Sequence, residues 1–151
     1  MAKKAQAAME FLMTYGWAIL VVLVVIGALA YFGVLNPAKL LPDKCTATAG
    51  FTCSDFVMNA GGPTVKLING MGQSVTISST TFTHSAGTAI TLTAPASGTV
   101  WKSGEAITFV ASGATFTPGD KGKGTLDIVY YTGGDSTFSH TLSVDISGTV
   151  Q

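Results

Sequence analysis

An α+β chain, one long apolar α-helix followed by a mainly antiparallel β-sandwich head, is predicted by three observations. No charged residue occurs between Glu10 and Lys39; the first helix breaker in that stretch is Asn36-Pro37; and from Cys45 onward the apolar pattern has period two. At 151 residues the chain has room for one compact domain beside one long helix. Apolar residues make up 47% and charged residues only 11%, an average pulled up by the N-terminal run.

Residues 1–5, Met1-Ala-Lys-Lys-Ala5, read as a short basic leader. The run that follows, Phe11 to Leu35 (FLMTYGWAILVVLVVIGALAYFGVL), is apolar around its whole circumference. Such a helix needs lipid or other helices on every side. A helix from Gln6 to Leu35 spans about 45 Å at 1.5 Å per residue, more than the roughly 30 Å hydrocarbon core. Asn36 is expected to end it, because a residue before proline is pushed out of the α region. The helical segment is thus set at 6–36 and a neck at 37–44 (PAKLLPDK carries two prolines and the first new charges).

The head is set at 45–151. Its clearest strand runs from Thr137 to Val150, where Phe138, His140, Leu142, Val144, Ile146, Gly148 and Val150 alternate with Thr, Ser and Asp. The same alternation marks Ile107, Phe109 and Ala111, then Leu126, Ile128 and Tyr130, and more weakly Val75 and Ile77. Turn residues punctuate these runs at Gly61-Gly62-Pro63, Asn69-Gly70, Ser97-Gly98, Pro118-Gly119-Asp120 and Gly133-Gly134-Asp135. Seven or eight short strands at this spacing predict an immunoglobulin-like sandwich or a related barrel.

Cys45 and Cys53 lie beyond the apolar run. The positive-inside rule leaves Lys3 and Lys4 in the cytoplasm and the head outside, where disulfides persist. Their spacing suits a small disulfide loop, two free thiols being the alternative. Two cysteines and two isolated histidines are too few for a zinc site, so no metal or cofactor is expected.

Catalytic constellations are missing. The carboxylates Asp43, Asp55, Glu105, Asp120, Asp127, Asp135 and Asp145 are scattered singly. His140 falls on the apolar face of the last strand, where a buried or half-buried ring satisfied by hydrogen bonds is expected. The glycines of Gly119-Asp-Lys-Gly-Lys-Gly124 lead into a strand rather than a helix, unlike a phosphate loop, and read as a hairpin with Lys121 and Lys123 in a solvated turn. With no arginine and zero net charge, nucleic acid is not an expected partner. No Asn-x-Ser/Thr sequon is present.

The N-terminus carries the most specific signal. In an ordinary secretory signal the cleavage site follows the apolar segment, and Ala28-Leu29-Ala30 would formally serve. The apolar stretch before it is longer than such signals have, and Glu10 stands between the basic and apolar parts. A lipoprotein anchor at Cys45 is disfavoured by Asp43 and Lys44. Instead, Lys3-Lys4-Ala5-Gln6-Ala7-Ala8-Met9-Glu10-Phe11-Leu12 resembles the class III signal of archaeal type IV pilins, cut before a Gln that leaves a Glu at the fifth mature position. The apolar run and the closing Ser147-Gly148-Thr149-Val150 are similar to that family too. Ala7 and Ala8 stand where some members carry Ser, and the Phe that opens mature bacterial pilins is absent.

The resemblance implies a prepilin cut by a prepilin peptidase between Ala5 and Gln6. It further implies polymerisation through the helix into an adhesive surface filament, served by an assembly ATPase and platform. In that role Glu10 would meet the new Gln6 amine of a neighbouring copy. The precursor would sit in the cell membrane and the product in an extracellular pilus. Losing Lys3 and Lys4 removes the positive anchor and eases extraction, and a carboxylate among hydrocarbons is costly unless paired. Gly27, Ala28, Ala30 and Gly33 would let neighbouring helices approach, while Tyr15, Trp17 and Tyr31 suit a membrane interface beforehand. Alternatively, Glu10 simply meets water at the interface and favours the helix N-terminus. The rival expectations are a cell-surface β-sandwich binding module anchored by an uncut helix, a minor pilin, or an archaellin-like subunit.

Overall fold

The computed structural model describes residues 2–34, 41–92 and 95–151, with side chains from residue 7 onward. The chain forms two compact units, Met1–Leu41 and Pro42–Gln151. The first is a single helix and the second is built of strands, which is the α+β class expected.

Helix α1 runs Ala2–Tyr31. It starts four residues ahead of the expected Gln6, because Ala, Lys, Gln, Met and Glu are all strong helix formers and nothing in the leader breaks the ladder. It also stops short of Leu35. Gly33 takes a left-handed φ of 70°, its N–H bonds to Ala30 O, and Val34 N–H reaches back to Leu29 O. This pattern closes a helix on a glycine that carries no Cβ penalty. The expected stop at Asn36-Pro37, and the neck from 37 to 40, lie outside the described residues.

Among the described residues the head has nine strands: β1 (Lys44–Ala47), β2 (Phe51–Asn59), β3 (Gly62–Asn69), β4 (Val75–His84), β5 (Ala89–Thr91), β6 (Val100–Trp101), β7 (Ala106–Val110), β8 (Lys121–Thr132) and β9 (Ser139–Thr149). One sheet has the order β1-β9-β8-β4-β5, with β6 also on β4; the other has the order β2-β3-β7. All these pairings are antiparallel. The chain's first strand therefore lies beside its last.

The period-two pattern locates the core. Leu126, Ile128 and Tyr130 on β8 and Leu142, Val144 and Ile146 on β9 are buried, and Val65, Leu67 and Phe109 oppose them from the smaller sheet. Val75 and Ile77 point inward on β4, then the register shifts between Ile77 and Ser79 and the inward phase resumes at Thr80 and Phe82. That extra residue is why the alternation was weak in the sequence. An aromatic cluster fills one end: Phe51 lies 5.0 Å from Trp101 and 5.3 Å from Tyr130 between ring centroids, and Trp101 lies 5.6 Å from Phe109.

Three local expectations are corrected. His140 is exposed rather than buried, as is Phe138, because the inward phase of β9 begins only at Leu142. The glycines from 119 to 124 do not form a hairpin. Only residues around Gly119 turn, and Gly122 and Gly124 lie within β8, paired with Gly148 and Ile146. A Cβ on Gly124 would sit 2.3 Å from Phe82 Cζ, so glycine there makes room for a core ring. Lys121 is no solvated turn residue. Its side chain is 10% exposed and its ammonium pairs with Asp43.

Candidate functional site

Ala5 and Gln6, the predicted processing site, lie in continuous helical backbone between Ala2 and Glu10. They occupy the first two turns, where the leading N–H groups have no helical acceptor and fraying is easiest. A protease needs its substrate extended, so cutting here requires only terminal turns to open. Glu10 is on the next turn with its side chain exposed. Thr14 Oγ donates to the Glu10 carbonyl at 2.9 Å, so a hydroxyl in the apolar run is satisfied within the helix.

From Ala7 to Tyr31 the helix is 25 residues long and long and apolar enough to cross a membrane, with no residue buried in its most apolar window. Exposure is spread around the axis: Leu12, Leu23 and Val24 are each more than 60% exposed, and Trp17 is 70% exposed. Phe11 and Tyr15, one turn apart, stack at 4.8 Å, leaving a shallow apolar groove over Ala18, Ile19 and Val22. A Cβ added at Gly16 or Gly27 would meet nothing within 4 Å. These glycines answer no packing need inside the unit, and they leave flat places where another backbone can approach.

In the head, Cys45 and Cys53 form a disulfide, as their spacing suggested, with Cα atoms 6.1 Å apart. It joins β1 of the larger sheet to β2 of the smaller. Asp43 Oδ1 accepts from the Lys121 ammonium, from Thr149 N–H at 3.0 Å and from Thr149 Oγ at 3.3 Å. The Lys121 ammonium beside Asp43 holds its carboxyl below the ordinary value of 3.8, helped by Thr149. No short-range pattern marks this contact, since 78 residues separate its members.

The histidines are not brought together. His84 Nδ1 accepts from Ala86 N–H at 3.0 Å and its ring packs on Phe116 at 4.4 Å, whereas His140 lies against Tyr130 at 5.6 Å. Among the described residues no group of three or more His, Cys, Asp or Glu is placed to hold a metal. Asn69, read from the sequence only as a turn residue, is fully buried. It donates to Gln73 O and Trp101 O and accepts from Met71 N–H. No protein-family model, curated protein or solved structure matches the chain.

Proposed function

We propose that the chain is the structural subunit of an archaeal type IV-like pilus, made as a membrane-held precursor, cut between Ala5 and Gln6, and polymerised through its helix. The observation that carries this reading is an apolar helix with no buried residue among those described, whose only carboxylate, Glu10, stands at the fifth place counted from Gln6. A carboxylate carried into hydrocarbon is costly, about 2.5–3.5 kcal/mol at a helix centre on insertion scales and less toward its end. The α-amine freed on Gln6 of an adjoining copy would offset that cost. It would also fix the axial register of each added subunit.

The rest of the chain suits the same role. The helix offers lipid-compatible side chains before assembly and small residues at Gly16 and Gly27 for close helix contact afterwards. The head is a disulfide-bearing β domain of the kind that persists outside the cell. The reaction that acts on the chain is peptide hydrolysis by a separate peptidase; the subunit itself supplies no chemistry. Its partners are then the peptidase, the assembly ATPase and platform, and above all its own copies.

Intact-mass measurement of protein recovered from the cell surface tests the reading. A species beginning at Gln6 is the expected result; one beginning at Met1 or Ala2 overturns it and leaves a permanently anchored surface module. Glu10→Ala separates cleavage from assembly. Its expected outcome is a processed protein that stays in the membrane, with sheared surface fractions free of filaments by electron microscopy.

A further inference from the structure

The head receives the chain through a strand that has almost no core of its own. β1 is four residues long, forms the edge of the larger sheet, pairs only with β9, and has no fully buried side chain. Four ladder positions, from Lys44 opposite Ser147 to Ala47 opposite Val144, hold it. At its far end Thr48 N–H and Thr48 Oγ both donate to Ser143 O. An edge strand of this length is among the first parts of a sheet to open.

Two contacts stand at its beginning. Asp43 ties the entry point to the first residue of β8 and the last of β9 through one carboxylate oxygen. Two residues later, Cys45 is bonded to Cys53 on β2, which belongs to the other sheet. The start of β1 is therefore held to both sheets, by Asp43 to β8 and β9 and by Cys45 to β2. We infer that the Asp43–Lys121 pair and the Cys45–Cys53 bond together pin β1 to both sheets of the head, and that opening the bond releases β1 while the remaining strands stay folded. Opening takes two electrons and two protons from an external dithiol, which closes to its own cyclic disulfide as Cys45 and Cys53 become thiols. Released β1 leaves β9 as an open sheet edge.

The pinning of β1 does not rest on the proposed function, and its test does not depend on filament formation. Amide hydrogen exchange is measured by mass spectrometry on the full chain in detergent micelles, in three states: oxidised, reduced with dithiothreitol, and as Cys45→Ala/Cys53→Ala. The expected result is at least tenfold faster exchange across residues 44–48 in the second and third states, with β4 and β8 as protected as before. Unchanged exchange at 44–48 overturns the inference. So does loss of protection throughout β4 and β8, because the bond would then hold the whole head and not β1 alone. Chain that starts at Met1 on the cell surface would refute the filament reading and leave this result as it stands.

Discussion

At the scale of single residues, buried polarity matters more than the sequence suggests. Asn69 looks like half of an Asn-Gly turn, and it does sit at one, but its amide also reaches Trp101 O across 32 residues. Asn69→Ala would leave the Trp101 and Gln73 carbonyls and the Met71 N–H without this partner. The expected loss is about 2–3 kcal/mol, from the cost of leaving buried groups unsatisfied, read as a lower midpoint in denaturant unfolding of the head. Asp43 gives a pH signature. Its folded pKa is depressed below 3.8, so its contribution is present above that value and is lost as pH falls through the folded pKa. Asp43→Asn should therefore lower stability at neutral pH and flatten the fall in thermal midpoint below about pH 4. His140 shows the limit of pattern reading at this scale. It continues the apolar phase of β9 by position, yet it is exposed beside the buried Tyr130, and burial on β9 begins at Leu142.

Elements were legible where a period persisted and illegible where geometry interrupted it. Strands β7, β8 and β9 follow directly from a period of 2, and the helix from an unbroken apolar run of membrane length. Strand β6 is two residues long and carries the fully buried Trp101, too short for any periodicity to register. On β4 one inserted residue reverses the phase, and a turn-like string of glycines proved to be the start of the longest strand. Those glycines are explained by neighbours distant in sequence. Gly124→Ala places a methyl 2.3 Å from Phe82 Cζ and 2.8 Å from Thr83 O, an overpacking that should cost about 1–3 kcal/mol. Gly61→Ala, where nothing lies within 4 Å, should stay within about 0.5 kcal/mol. Comparing the two by thermal unfolding separates steric need from glycine's general flexibility. At the helix end, Gly33 stops the ladder before proline is reached, a stop that Gly-Val at the close of an apolar run permits but does not demand.

For the molecule as a whole, the two units call for different solvents. Every side chain that makes the helix insoluble in water lies within the first unit, while the head closes its own core. A chain starting at Pro42 should be monomeric in detergent-free buffer by analytical ultracentrifugation, with an unfolding midpoint matching that of the head in the full chain. The full chain should stay soluble only with detergent or lipid. That an apolar helix precedes a β domain was legible, because composition changes abruptly between Gly33 and Cys45. Strand order was not, since sequence carries no local record of which strands meet.

That order has a consequence in time. β1 is clamped by β9, with Asp43 and Thr149 106 residues apart and Thr48 and Ser143 95 apart. The larger sheet therefore cannot close until nearly the whole head has been synthesised, and such distant pairings are slow to find. The helix needs no such wait. In the proposed precursor it would enter the bilayer while the head is still an open chain, and the head would cross unfolded, then close and oxidise on the far side.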